Sequence, residues 1–485
     1  MMPLRIQLIF SLALILGCTS LLAQPTEAAL LGNWDRPDLV GSSAYNNTYN
    51  DVWGIALDGR EYAVVGSTAG THFIDVTDPA DSQEVAFVAG EAAGPSIIHR
   101  DYHNYDCYLY AVCDEGYSSM QIIDVSYLPD SVSVVYDSDE TLRQAHNIFI
   151  DTAEAKLYAF AAFGGDQFSS ALRIYDITDP VDPQYIEEYD QFGEIDAGHV
   201  HDGYVQNGLG YLNCGYDGFA MVDFSDPTAP ITLGTMTQYP FAGYNHSGWP
   251  SVDGQYYYLG DENHGYPMKV LDVSDPQDIT AVGTLETGRP DNPQQTIPHN
   301  QIVACDYLYV SYYYDGLQVY DISDPAAPQR VSYYDTSDWP FDNNYRGAWG
   351  IYPYLPSGNV LVTDMQNGLF ILEGPGDDCA NREESIISCG LVNNTSSPQL
   401  TTIAVTVSPQ PASSYLRLQF PEEHTTENVK ARLLDLNGRA VHRFEDSWIG
   451  QKQVEWNLPQ LANGLYILEL QGKDWLSAQK VLIQY

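Results

Sequence analysis

The sequence predicts an all-β protein: a seven-bladed β-propeller closed by an N-terminal strand, then a small C-terminal β-sandwich. Three observations predict it. A short phrase recurs at nearly constant spacing, a glycine-bearing hairpin recurs with it, and the C-terminal residues change composition while keeping short alternating runs. The domain boundaries that follow are 1–23 for a signal peptide, 24–374 for the propeller, 375–402 for a linker and 403–485 for the sandwich.

Residues 4–16 form an apolar run behind Arg5 that is too short for a membrane span and is followed by small residues. That pattern is a secretory signal peptide, with cleavage after Ala23. Ile15-Leu16-Gly17-Cys18 also fits a lipoprotein box, which would put a lipid on Cys18. No other stretch could span a bilayer, so no direct membrane insertion is expected.

The repeated phrase is apolar, any, Asp, Val/Ile, Thr/Ser, Asp, Pro. Its anchoring acids are Asp75, Asp124, Asp176, Asp223, Asp272 and Asp321, with a seventh copy cut short at Phe370-Ile371-Leu372-Glu373; the intervals are 49, 52, 47, 49, 49 and 52 residues. A fixed period in this range marks stacked units, none of which can bury its own apolar face. The phrase reads as a strand end and a turn, where Asp and Ser/Thr cap their own backbone and Pro stops the ladder.

Within the unit His299–Thr336 the runs His299–Cys305, Tyr307–Tyr312, Leu317–Ile322 and Gln329–Tyr334 alternate as four strands, with Asp315-Gly316 as the central hairpin. The same hairpin recurs at Gly70, Gly116, Gly218 and Gly368. Seven copies give seven blades. The seventh lacks a fourth strand before Gly374-Pro375-Gly376, and Ala29-Leu30-Leu31-Gly32-Asn33-Trp34 resembles the fourth-strand text Ile231–Met236. Residues 29–34 are therefore expected to complete blade seven and remove the open edge.

The phrase Ile/Val-Asp-Val/Ile-Ser/Thr-Asp-Pro, over roughly residues 29–374, resembles the LVIVD repeat of secreted "choice-of-anchor B" proteins. The resemblance implies an extracellular or surface propeller and carries no settled activity. In the tail, Pro409-Gln410-Pro411, Asp435-Leu436-Asn437-Gly438-Arg439, Ala462-Asn463-Gly464-Leu465-Tyr466 and Lys480 resemble the C-terminal sorting domain of the type IX secretion system. Gln410 stands where that family usually has Asn. This resemblance implies a Bacteroidetes-type bacterium, the type IX machinery as a partner, and a destination in the medium or on the cell surface. A carbohydrate-binding sandwich is the other reading of the tail.

Formal net charge is −45, from 65 acidic and 20 basic residues. Such a chain repels nucleic acid and anionic lipid. Its acids serve as a solvated surface or as calcium ligands, although no Asp-x-Asp-x-Asp-Gly loop is present. Among seven cysteines, Cys379 and Cys389 bracket a polar loop and could close a disulfide, while Cys107, Cys113, Cys214 and Cys305 read as buried thiols. The 37 tyrosines, mostly at alternating strand positions, read as sheet packing.

Aligning the first strands puts Trp53, His99, His146, His201, His246, His299 and Trp349 at one point of the channel mouth. Hairpins between second and third strands bring Asp114, Glu115, Asp217, Asp261, Glu262, His264, Asp315 and Asp364 towards the same rim. One reading is a site for an extracellular ligand, glycan or protein, on the seven ring residues. A second is a transition-metal or calcium centre using His146, His201, His246, His299, Asp114, Asp261 and Asp364, in support of lyase or hydrolase chemistry. A third is scaffold, a histidine copied with its repeat for folding. No nucleophile elbow, His-Glu-x-x-His or phosphate loop is present. The chain is expected to act as a monomer.

Overall fold

The computed structural model describes residues 24–288, 296–337, 339–340, 344–376, 386–387, 389, 401–402, 405–420, 430–434, 440–444, 452–458, 461, 463–471 and 475–484. The run expected as a signal peptide, Cys18 and Cys379 lie outside the described residues. No helix among the described residues is long and apolar enough to cross a membrane. Two compact units divide the chain, Met1–Ser388 and Cys389–Tyr485.

The first unit is built of antiparallel four-stranded sheets, seven of them among the described residues; one carries a fifth, parallel strand at Thr26–Glu27. The unit expected at His299–Thr336 has strands Pro298–Ala304, Tyr307–Tyr312, Gly316–Asp321 and Gln329–Tyr334, within a residue or so of the alternation that predicted them. The first strands of the successive sheets are Tyr49–Leu57, Arg100–Tyr105, Asn147–Asp151, Asp202–Gln206, Asn245–Pro250, Pro298–Ala304 and Ala348–Tyr352. Each packs against the next, and Ala348–Tyr352 packs against Tyr49–Leu57.

The repeated phrase has one structural job. The Oδ1 atoms of Asp75, Asp124, Asp176, Asp223, Asp272 and Asp321 each accept from the backbone N–H two residues on, at 2.8–3.0 Å. Each is an Asx turn that ends the third strand and turns the chain into the fourth. The apolar faces of neighbouring sheets then share cores: Phe160, Leu172 and Ile174 of the third sheet pack with Val205, Leu212 and Val222 of the fourth.

Leu30–Trp34 pairs antiparallel with Gly368–Leu372, so an N-terminal strand shares a sheet with the last strands of the unit. At Gly368, with φ +88°, a Cβ would stand 2.2 Å from the Trp34 carbonyl oxygen, which excludes any side chain there. The Glu61 carboxylate of the first sheet accepts from Ser357 N and Oγ, both at 2.6 Å, beside the seventh.

The cysteines differ from expectation. Cys113 and Cys214 are buried free thiols. Cys107 and Cys305, expected as buried thiols, are disulfide-bonded, as is Cys389. Both sit half-buried in the turn after a first strand, where a sulfur can meet a partner that a strand interior would deny it. The tyrosines follow the packing reading, since Tyr62, Tyr110, Tyr158, Tyr175 and Tyr258 are fully buried.

In the second unit a three-stranded sheet (Thr406–Ser408, Tyr415–Gln419, Gln453–Asn457) and a five-stranded sheet share one core of Leu416, Leu418, Trp456, Leu433, Leu468 and Val481. The Gln410 amide makes two bonds to the last strand: Oε1 accepts from Leu482 N at 2.9 Å and Nε2 donates to the Lys480 carbonyl at 3.1 Å.

Candidate functional site

Chain direction alternates within each sheet. The connection that enters a first strand and the hairpin between second and third strands therefore share one end of the unit. Hydrogen bonds tie them there: Glu115 accepts from Ile98 and His99 N–H, Asp217 accepts from Gly198 N–H, and Gly215 bridges to Asn245.

At that end the histidines form an aromatic ring. Ring centroids lie 4.1 Å apart for His99–His146, 4.0 Å for His146–His201, 4.1 Å for His201–His246 and 4.5 Å for His246–His299. Trp349 completes it, 4.3 Å from His299 and 5.5 Å from His99. His99, His201, His246, His299 and Trp349 are buried.

Trp53 is not in this ring. Its indole packs at a tilt on His103 at 4.4 Å and on Tyr352 at 5.0 Å, and donates from Nε1 to Asn104 Oδ1 at 2.8 Å. Register explains the correction. Hairpin N–H groups of Glu262, Tyr313 and Met365 bond the carbonyls of Tyr244, Ile297 and Gly347, two residues before His246, His299 and Trp349. The same bond in the first sheet runs from Thr68 to Thr48, which puts Asn50 at the ring position. The first and seventh sheets carry the same bulge, between Tyr49 and Val52 and between Ala348 and Ile351, so Asn50 corresponds to Trp349 and the shared text Trp-Gly-Ile is out of register. Trp53 instead belongs to a second aromatic layer with His103, Phe149, Tyr204, Trp249 and Tyr352.

Two of the proposed metal-ligating acids are structural. Asp261 is fully buried, forms an ion pair with Lys269 Nζ, and accepts from Tyr239 Oη and Gly243 N at 2.9 Å. Asp364, also fully buried, accepts from Thr336 Oγ1 at 2.8 Å and from Gln366 and Asn367 N–H, and burial lifts its pKa to about 6. Neighbours along a strand point to opposite faces, and Glu262, next to Asp261, is the acid that faces the ring. Its Oε2 lies 3.9 Å from His246 Nε2. Asp114 does reach the ring, with Oδ2 at 2.8 Å from His146 Nδ1. Two groups bring their ligand atoms within 4.8 Å of one another: His99, Asp114, His146 and His246, Glu262, His299.

Burial, and then the neighbouring imidazoles, hold His99, His201 and His246 well below the usual histidine range, and burial takes His299 down to about 3. Burial opposes charge at His146 too, but Asp114 outweighs it and the net shift is upward. Four imidazoles of the ring are thus held towards the neutral form and His146 towards the charged one.

Beside the second aromatic layer lies a cavity of about 60 Å³, lined by Trp53, His103, Phe149 and Trp249 with Asp51, Asp101 and Asp202. Burial lifts Asp51 and Asp202 to about 7 and Asp101 well above the carboxylate range. Asp51 and Asp101 hydrogen-bond each other, so one of them holds a proton. The sequence carries a signal for two of these acids: Asp101 and Asp202 follow ring histidines by two residues and one, at the start of first strands.

Comparison with known proteins adds the following. The family described as the secretion system C-terminal sorting domain matches residues 406–484, and the LVIVD repeat matches residues 251–287 and 302–336. No curated protein matches the chain. Among solved structures, the periplasmic gluconolactonase PpgL of Pseudomonas aeruginosa is similar at 9% identity, covering 85% of this chain and 99% of that one, with a TM-score of 0.48. The Cps50 (Swd1) β-propeller domain of Myceliophteria thermophila is similar at 8% identity, covering 70% and 100%, with a TM-score of 0.46. The chain carries LVIVD repeats followed by a type IX secretion-system C-terminal sorting domain, which addresses it to the cell surface or the exterior of a Bacteroidetes-type bacterium.

Proposed function

We propose that the first unit is a seven-bladed β-propeller, closed by Leu30–Trp34, that binds an extracellular carbohydrate across the end bearing the imidazole ring. The observation that carries this reading is a set of exposed aromatic side chains on the loops of that end. Tyr117, Tyr216 and Phe168 stand on hairpins between second and third strands, and Phe241 stands on the connection into the fifth sheet; they are 82%, 76%, 67% and 59% exposed. Large aromatics left in water on one face mark a binding surface, and flat rings amid carboxylates and tyrosine hydroxyls suit a sugar. The buried Trp349 and the deeper Trp53 serve the scaffold of the channel rather than the contact surface.

The test is binding of the purified protein to a panel of extracellular polysaccharides, with Tyr117→Ala and Tyr216→Ala beside it. Loss of binding of about tenfold or more in either variant, with an unchanged melting temperature, supports the reading. A panel without any binder, or binding indifferent to both changes, sinks it. The second reading, a metal-dependent lyase or hydrolase, draws on the two histidine–carboxylate groups.

A further inference from the structure

Three adjacent imidazoles have their tautomers fixed by their neighbours. His201 Nδ1 lies 3.1 Å from the His246 carbonyl oxygen, and His299 Nδ1 lies 2.8 Å from that of Trp349. A carbonyl only accepts, so both Nδ1 atoms carry the proton. His246 Nδ1 lies 2.9 Å from Ser247 Oγ. That hydroxyl spends its single hydrogen on the His299 carbonyl, its other acceptor being Gln301 Oε1 at 3.3 Å, so it accepts from His246. A neutral imidazole has one proton. The Nε2 atoms of His201, His246 and His299 are therefore all bare lone pairs.

Facing His246 and His299 is the Glu262 carboxyl. Glu262 gives one oxygen, Oε1, to the Tyr313 hydroxyl at 2.5 Å, and leaves Oε2 at 3.9 Å from His246 Nε2. That separation is too long for a hydrogen bond and is bridgeable by one ion, because two ligands about 2.0–2.2 Å from a metal can lie about 4 Å apart. Acceptors that meet acceptors in a buried place leave a deficit of positive charge. Imidazoles whose Nδ1–H is anchored on a carbonyl or hydroxyl, with Nε2 turned inward, are also oriented as metal ligands are.

We propose that His246 and His299, through Nε2, and Glu262, through Oε2, bind one divalent transition-metal ion of the zinc class. Two imidazoles and one carboxylate leave a coordination position open at the channel end. The set contains borderline nitrogen donors and a single oxygen, which disfavours calcium and magnesium. The second group is less suited, since Asp114 is already engaged by His146 Nδ1 at 2.8 Å and the two satisfy each other. This site stands independently of the carbohydrate surface, which rests on the exposed loops.

The experiment strips the purified full-length protein with a chelator and titrates it with Co²⁺, reading the visible ligand-field spectrum, then displaces Co²⁺ with Zn²⁺. One Co²⁺ per chain is expected, released by Zn²⁺, with affinity at least about tenfold weaker in Glu262→Gln and in His246→Gln and unchanged in Asp114→Asn. Glu262→Gln keeps an acceptor for Tyr313, so it decides the matter if His246→Gln does not fold. No uptake by the wild type, unchanged affinity in folded Glu262→Gln, or a loss confined to Asp114→Asn overturns the assignment.

Discussion

His299 donates from Nδ1 to the backbone carbonyl of Trp349 at 2.8 Å while its ring packs at a tilt of 44° against the Trp349 indole, centroids 4.3 Å apart. One contact thus fixes a tautomer and joins the sixth sheet to the seventh. With burial holding the pKa near 3, the imidazole is expected to stay neutral, as the Nδ1–H tautomer, from pH 8 down to about 4. Nitrogen NMR of labelled protein reads this directly. Because the folded value lies below the unfolded one, this group's contribution is intact above about pH 6.5 and fades as pH falls towards 3.

The cavity acids act with the opposite sign. Asp202 has a folded pKa of about 7, raised by burial from an unfolded value near 3.8, so the wild type loses stability as pH rises between those values. Three units correspond to about 4 kcal/mol at most. Asp202→Asn keeps an acceptor for Gly203 N–H, 2.7 Å from Oδ1. It should raise stability in urea melts at pH 8 by up to that amount and by almost nothing at pH 4. Equal effects at both pH values would remove the desolvation account.

Lys269 and Asp261 are both fully buried and paired. Lys269→Met strands the carboxylate with only Tyr239 and Gly243 as donors and should cost about 3–5 kcal/mol in denaturant unfolding. The chain that survives should bind Co²⁺ as the wild type does. A drop in metal affinity without a drop in stability would return Asp261 to the site.

Much of this was legible in the sequence because the physics is local. Asp321 must cap Ser323 N–H wherever the phrase occurs, so the repeat, its strands and its hairpins could be read from the text. The five histidines could be aligned for the same reason. What failed was the alignment on the shared text Trp-Gly-Ile, where Asn50 rather than Trp53 takes the ring position, and the parity at Asp261-Glu262, where the hairpin's geometry decides which acid turns inward. The disulfides at Cys107 and Cys305 were invisible because they depend on contacts distant in sequence.

The Asx turns can be tested singly. Asp321→Ala removes the acceptor for Ser323 N–H and Oγ and frees the turn into the fourth strand of its sheet. A loss of about 1–2 kcal/mol is expected by thermal or chemical melting, since two exposed bonds to one side chain are removed. A much larger loss would mean the phrase holds sheets together rather than turning one chain.

The proposed closure has its own measurement. Trp34 is buried beside Tyr49 and His72, centroids 5.9 and 5.2 Å away, and its strand covers the edge Gly368–Leu372. If that strand closes the propeller, Trp34→Ala should cost about 3–5 kcal/mol. The deletion should also be felt across the joint, because Leu369 and Ile371 share a core with Val52 and Val65 of the first sheet. Hydrogen exchange would then speed up together in Gly368–Leu372 and in Arg60–Ser67, with slower change in the distant strand Phe219–Asp223. Faster exchange restricted to residues 30–34 would show the strand to be an appendage and would sink the proposed closure.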